Sequence, residues 1–477
     1  MESFDLVIIG GGVAGLVTAS GAAQFGAKVA LVEKESLGGD CLHWGCVPTK
    51  SLVRAAKVAS LVRRSEEFGI ARTDFHVDFS KVMQRIRSVQ GRIGRNDDPE
   101  RFRKMGVEVI FGGGKFSDPH TFVVKDRQLR ARKFLIATGS RPVILPIPGL
   151  KEAGALTNMT ALKLDHLPAS MVILGAGPIG MEFAQVFARL GSKVTVIEKM
   201  GQILPREDKE LADALQGILQ KEGIEIVTCT EVKEVKRTGS GKRVVVAQCQ
   251  VRGTLTFEVD EVMIAIGRAP NVEGLGLEAA GVAFDKKGII VNGQMRTSQK
   301  HIFAAGDVAG PFAFTHVAEY QAGIVLSNAL FPLMHRKADY RVVPWVTYTD
   351  PELGRVGLTQ EEAKKQHGEK NVQVFRFQFE EVDRAIIEGE GHGLIKLVCD
   401  RKNQILGAHL LGPSAGELLH EFVLAMKARV PITTISQTIH VYPTLSQAVK
   451  RAADQYYKQK LFSGWFPKLA KRLIRYA

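Results

Sequence analysis

The feature that most constrains this chain is a pattern written twice. Residues 4–34, FDLVIIGGGVAGLVTASGAAQFGAKVALVEK, read as strand, tight turn, helix and second strand, with Gly10, Gly12 and Gly15 in the turn and Glu33 closing the second strand. Residues 170–199, SMVILGAGPIGMEFAQVFARLGSKVTVIEK, repeat the pattern with Gly175, Gly177, Gly180 and Glu198. In both copies the acid stands 18 residues after the third glycine. The first glycine permits the turn, the second lets backbone approach a pyrophosphate, and the third lets helix and strand pack closely. The helix N-terminus then meets the anion with free N–H groups, and the acid is placed to accept hydrogen bonds from a ribose.

Two dinucleotide sites imply two redox carriers. Glu198 would repel a 2′-phosphate, so the nicotinamide carrier is expected to be NADH, although Lys199 beside it leaves NADPH open. The first site fits FAD. At 477 residues the chain has room for roughly three domains of ordinary size. The opening MESFDLVIIGG enters an apolar strand with no basic leader, and no apolar run approaches the roughly 18 residues of a membrane span, so an intracellular, cytoplasmic protein is expected.

Two of only five cysteines fall in GGDCLHWGCVPTKSL, residues 38–52. The spacing of Cys41 and Cys46 is wider than Cys-x-x-Cys, and no second pair completes a zinc site, so no metal is expected. On spacing alone the pair is either a redox disulfide or two core cysteines. In a reducing compartment a persistent disulfide is usually catalytic or sensory, which favours the first reading. Cys229, Cys249 and Cys399 stand singly in apolar or strand-like surroundings and read as structural.

The order of parts then matters. A first dinucleotide motif, Cys-x4-Cys-x-Pro-x-Lys, ATGSRP at 137–142, a second dinucleotide motif and IFAAGD at 302–307 together resemble the class I pyridine nucleotide-disulfide oxidoreductases, over residues 4 to about 455. That family includes dihydrolipoamide dehydrogenase, glutathione reductase and mercuric reductase. The resemblance implies an α/β fold with two Rossmann-like dinucleotide-binding domains, for FAD and NAD, and a C-terminal α+β dimerisation domain. The FAD domain would comprise residues 1–150 and 268–342, the NAD(P) domain 151–267, and the interface domain of a homodimer 343–477. The proline-rich ILPIPGL at 144–150 and the extended pattern at 341–359 agree with those boundaries.

Matched motif by motif, Thr138, Gly139 and Ser140 resemble the turn that closes over FAD, and Gly114 a backbone contact to its adenine. Asp307 resembles the carboxylate that binds the ribityl chain, and His316 lies on the helix expected beneath the flavin ring. Alone, Asp307 would read as a helix cap and His316 as a core histidine; in this order both read as ligands. Lys50 resembles the lysine near flavin N5, with Glu182 as its ion-pair partner, and Val232 and Gly267 resemble residues lining the nicotinamide dinucleotide. The resemblance further implies that Cys46 lies over the flavin at a helix N-terminus, which lowers a thiol pKa, and that Cys41 faces the oxidant. Pro48 suits an early helical position, where no N–H is needed.

The pattern breaks in HVYPTLSQAV, residues 440–449. Family members acting on lipoamide or glutathione carry His before this proline and Glu five residues later, a dyad that protonates the leaving thiol across the dimer. This chain has Tyr442 and Gln447, which cannot do that work near neutral pH. His440, two residues earlier, offers a displaced base. Mercuric reductases also lack the histidine, but no cysteine follows Cys399 here to receive mercury. Asp40, His43 and Trp44 also depart from the family pattern, either as packing changes or, with Tyr442, as aromatic faces for a flat acceptor.

The net charge is +14, and the tail KQKLFSGWFPKLAKRLIRYA, residues 458–477, sets Lys468, Lys471, Arg472 and Arg475 opposite Leu469, Leu473 and Tyr476, with Trp465 and Phe466 before them. Such a helix, begun afresh at Pro467, suits peripheral contact with the inner face of a membrane; otherwise it packs on the partner subunit. Nothing marks nucleic-acid binding. The sequence therefore predicts an enzyme carrying electrons from NADH through FAD and the Cys41–Cys46 disulfide to a quinone, metal ion or similar small oxidant. Dihydrolipoamide dehydrogenase is the enzymatic alternative, and a low-turnover redox sensor or membrane-associated flavoprotein the alternative of another class.

Overall fold

The computed structural model describes residues 2–71, 73–331, 333–462 and 466–476; Trp465 of the tail lies outside the described residues, as do the side chains of Phe466, Lys468 and Tyr476. The chain forms two compact units, one of Met1–Ala55, His76–Leu167 and Val262–Asp339, the other of Ala56–Phe75, Pro168–Glu261 and Tyr340–Ala477.

In the first unit Glu2–Ile9 is the middle of a parallel sheet, flanked by Val29–Glu33 and Arg127–Ile136. Val107–Phe111 extends the sheet beyond Val29–Glu33, and Ile302–Ala304 also pairs in parallel with Arg127–Ile136. Parallel strands covered on both faces need continuous apolar runs, and Leu6, Val7 and Ile8 are indeed fully buried. Thr121–Val124 and Gly114–Asp118 continue the sheet in antiparallel fashion. Helix Val13–Gln24 packs on helix Thr315–Leu330, so the first glycine motif and the segment after IFAAGD share one layer.

The second unit repeats the device. Ser170–Leu174, Lys193–Ile197 and Glu225–Val227 pair in parallel, with helix Pro178–Leu190 joining the first two. An antiparallel meander of Thr230–Arg237, Arg243–Cys249 and Gly253–Val259 follows. The C-terminal part is a five-stranded antiparallel sheet running Pro344–Thr347, Glu352–Gly357, Ile405–Gly412, Leu394–Asp400 and Val372–Gln378. Alternation along Leu394–Asp400 sorts its faces. Ile395, Leu397 and Cys399 join Phe422 and Val449 of the covering helices in one core, whereas Lys396 points the other way and pairs with Asp208 at 2.8 Å. The architecture is α/β with an antiparallel α+β C-terminal part. Ile439, Val441 and Tyr442 stand exposed on that part, an apolar surface of the kind a partner subunit covers. No helix among the described residues is long and apolar enough to cross a membrane.

Candidate active site

The two glycine motifs share the same hydrogen bonds. Gly10 and Gly175 take left-handed φ values of +112° and +100°, and their N–H groups donate to Val32 and Ile197 carbonyls at 2.8 Å in both copies. Glu33 accepts from the Gly11 N–H at 2.7 Å and the Glu35 N–H at 2.8 Å; Glu198 accepts from Ala176 at 2.7 Å and Met200 at 2.8 Å. Each carboxylate is thereby fixed at the strand end, with further lone pairs to offer a ribose. Gly12 and Gly177 open their helices without a side-chain cap among the described residues, leaving the first amides for an anion. A Cβ on Gly10 would strike the Ala137 carbonyl and one on Gly15 the Gly10 carbonyl, while at Gly12 the nearest heavy atom, Gly39 Cα, is 4.0 Å away. The first turn is thus shaped to bring backbone against a pyrophosphate and fits the dinucleotide FAD. Gly180 is buried where its helix meets the sheet.

The dithiol is anchored to that turn. The Gly38 N–H donates to the Gly11 carbonyl at 2.8 Å, and a Cβ on Gly39 would fall 2.8 Å from Gly12 Cα. Cys41 lies half-buried in the short helix Gly39–His43, and Cys46 lies exposed as the first residue of helix Cys46–Arg63, whose dipole favours a thiolate there. Lys50 stands one turn further along the same helix. Both sulfurs are free thiols, and hydrogen bonding to Cys46 followed by burial pushes the Cys41 thiol well above its usual value. Thr315 Oγ1 lies 3.5 Å from Cys46 Sγ and also hydrogen-bonds Cys41, acting in the opposite direction.

The residues that depart from the family pattern have local partners. His43 Nε2 lies 2.8 Å from the Leu37 carbonyl, and Gln90 donates to the carbonyls of Leu42 and His43 at 3.0 Å, so this side of the loop is clamped. The Trp44 carbonyl accepts from Asn158 at 2.8 Å, and Lys163 sits over the Trp44 ring, 4.9 Å from its centroid. Asp40 pairs with Arg268 at 3.0 Å.

Arg268 extends that pair toward the expected flavin residues. Its Nε donates to Ser140 Oγ at 2.8 Å, and Ser140 donates to Asp307 Oδ2 at 2.6 Å. Burial raises the Asp307 carboxyl above its usual value, with Ser140 and Arg268 opposing, which suits exchange of hydrogen bonds with a polyol chain. Thr138 and Gly139, the latter at φ +70°, are pinned by Asn271, whose N–H donates to the Gly139 carbonyl at 2.9 Å and whose side chain donates to Thr138 O at 2.8 Å. Gln321, fully buried, accepts from the Gly306 N–H at 2.7 Å and so holds the turn before Asp307. His316 stacks on Phe314 with centroids 5.3 Å apart. Gly114 opens its strand against the Phe122 ring, and Gly267, at φ +140°, accepts from the Val143 N–H at 3.0 Å.

In the second unit Glu182 is buried on helix Pro178–Leu190 and accepts from the Tyr348 N–H at 2.9 Å. Val232 lies on Thr230–Arg237 at a register shift. Lys199 is paired with Glu231 at 2.8 Å, and the lysines around Glu231 hold its carboxyl down at about 2.

The segment at 440–447 makes hydrogen bonds within its own chain. Tyr442, 68% exposed, donates its hydroxyl to Asp383 at 2.8 Å, which raises its pKa further from neutrality. Gln447 donates to the carbonyls of His440 at 3.0 Å and Val441 at 3.3 Å. His440 lies 3.0 Å from Glu421 through Nε2 and 3.0 Å from the Thr438 carbonyl through Nδ1. Both its ring nitrogens thus face acceptors of the same chain.

Sequence reasoning missed Arg268, Thr315, Asn271, Gln321 and Glu421. Thr315 directly precedes His316 and was in reach; the others become visible only when distant segments meet.

Comparison with known proteins agrees with this geometry. The pyridine nucleotide-disulphide oxidoreductase family matches residues 4–322, and its dimerisation domain matches residues 343–453. A dihydrolipoyl dehydrogenase of Bacillus subtilis is 36% identical, covering 94% of this chain and 97% of that protein. A mercuric reductase of Lysinibacillus sphaericus is 34% identical over 95% and 82% of the two chains. Among solved structures, the Cu(II) complex of the HOCl-induced flavoprotein disulfide reductase RclA from Escherichia coli superposes with a TM-score of 0.85 at 30% identity, covering 95% of this chain and all of that one. The chain belongs to the pyridine nucleotide-disulphide oxidoreductases, FAD-dependent enzymes fed by NAD(P)H, and carries that family's dimerisation domain for assembly as a homodimer.

Proposed function

We propose that this enzyme takes electrons from NADH and delivers them through FAD and the Cys41–Cys46 pair to a small oxidant that is not an organic disulfide, a quinone first and a metal ion second. FAD and the nicotinamide supply two-electron carriage between coenzyme and dithiol. The observation that carries the choice of oxidant is that Tyr442 and Gln447 stand at the dyad positions and are engaged with Asp383 and with backbone carbonyls. Reduction of an organic disulfide expels a thiolate that needs a proton, and the two positions where the family dyad stands, 442 and 447, hold a tyrosine and a glutamine instead of the histidine and glutamate that would give one. A quinone escapes that need: dithiol plus quinone gives disulfide plus quinol, the two thiol protons leaving with the two electrons. Two Cu(II) ions would leave as Cu(I) while two protons pass to water. A metal acceptor is supported by relatives described as mercuric reductase and as a Cu(II) complex.

NADH is the favoured coenzyme because Glu198 occupies the ribose end and Lys199, the cation nearest in sequence, is paired with Glu231. A dithiol that cycles suits the reducing cytoplasm, where we place the enzyme. Installing the family dyad by Tyr442→His with Gln447→Glu tests the oxidant. General acid–base assistance is worth about a hundredfold or more, so the double variant should gain at least about tenfold in oxidised-lipoamide turnover with quinone turnover unchanged. A wild-type enzyme already as fast with lipoamide as the double variant would overturn the reading.

A further inference from the structure

The end of the chain carries an apolar face that its own fold leaves uncovered. Helix Phe466–Tyr476 follows helix Gln447–Phe462. At about 100° per residue, Leu469, Ala470, Leu473 and Ile474 share one side of it, and Lys471, Arg472 and Arg475 the other. Leu473 is 62% exposed and Ile474 75%, and Phe462, at the end of the preceding helix, is 78% exposed. The three cations are exposed as well. A helix of 11 residues is marginal in water without a surface to fold against.

The charge pattern selects that surface. Residues 458–477 hold six Lys or Arg and no Asp or Glu. A second copy of the tail would bring the same cations with no acid to pair them, so tail-on-tail packing sets like charges together. An anionic bilayer supplies both an apolar depth for Leu473 and Ile474 and negative headgroups for the cations beside them.

We propose that helix Phe466–Tyr476, with Phe462 at the end of the preceding helix, forms a docking surface for an anionic lipid bilayer, the helix lying in the plane of the interface. The surface does not depend on which oxidant the enzyme uses; a lipid-dissolved quinone would simply meet the enzyme there.

The test is sedimentation of the full-length, flavin-loaded dimer with vesicles of phosphatidylglycerol and phosphatidylcholine, or of phosphatidylcholine alone. Protein should pellet with the anionic vesicles at low salt, stay soluble with the neutral ones, and be released as salt rises. The variant Lys471→Gln/Arg472→Gln/Arg475→Gln should bind about a hundredfold more weakly, from about fivefold per cation. Leu473→Ser/Ile474→Ser should also lose binding, with flavin absorbance and dimer size unchanged in both. Failure of the wild type to pellet with anionic vesicles at low salt would overturn the proposal. So would variants that pellet like the wild type, or a Ser variant that falls to monomers while vesicle binding persists, which would assign the face to the partner subunit. Soluble-acceptor turnover, measured without vesicles, reports separately on the proposed function.

Discussion

Replacing Glu198 by glutamine probes how the second dinucleotide turn reads its coenzyme. The side chain is 9% exposed, and its two oxygens accept from the Ala176 and Met200 N–H groups at 2.7 and 2.8 Å. Glutamine keeps one acceptor and turns an amide NH2 toward the other N–H, so one buried donor is orphaned at a cost of about 1–3 kcal/mol of stability. The coenzyme loses more. A hydrogen bond from a ribose hydroxyl to a charged carboxylate is worth about 1.5–3 kcal/mol, so NADH efficiency should fall about ten- to hundredfold. NADPH gains nothing from that bond but is relieved of repulsion between the carboxylate and its 2′-phosphate. The NADH-to-NADPH preference should therefore contract by about tenfold or more. Lys199 does not restore the difference while Glu231 holds it. The assay is anaerobic bleaching of the flavin absorbance by each coenzyme in a stopped-flow instrument, which needs no acceptor. An unchanged preference ratio would show that other residues read this end of the coenzyme.

Two further outcomes follow from the geometry. Cys41→Ser should keep coenzyme-driven flavin reduction at wild-type rate but lose turnover that passes through the dithiol; an oxidant served directly by the flavin would keep its rate, which acceptor-by-acceptor kinetics will separate. His409, 1% exposed, has its pKa depressed from 6.5 to about 4, chiefly by burial. The unfolded chain binds that proton first as pH falls, so stability should decline between about pH 6.5 and 4 by about 3 kcal/mol from this group. His409→Gln, whose amide can still donate to the Leu358 carbonyl, should flatten that part of a denaturant-unfolding profile, and an unaltered slope would refute the assignment.

What the sequence made legible is what backbone chemistry dictates locally. A tight turn with a positive φ at Gly10 or Gly175 needs glycine, and an acid at the end of the next strand can turn back onto that turn, so the matched hydrogen bonds of Glu33 and Glu198 have a visible cause. The apolar run of Glu2–Ile9 announced a strand covered on both faces. Pairs made by distant segments were not legible. Asp40 is an odd residue beside Cys41 until Arg268 is seen to hold it and, through Ser140, to reach Asp307. Lys396 breaks an apolar strand until Asp208 and Glu210 lie within 2.8 and 2.9 Å of it. The partner of His440, Glu421 on helix Ala415–Ala428, likewise carries no local mark in the sequence.

The central claim is that the electron relay through Cys46 and Cys41 ends on an oxidant that does not need a proton delivered to a leaving thiolate. It is tested most directly by steady-state NADH oxidation with the wild-type enzyme, comparing kcat/KM for oxidised lipoamide with that for a water-soluble quinone and for Cu(II). Turnover with the quinone or Cu(II) at least about a hundredfold more efficient than with lipoamide is the predicted result. Lipoamide reduction as efficient as quinone reduction would contradict the claim and return the chain to the dihydrolipoamide dehydrogenases.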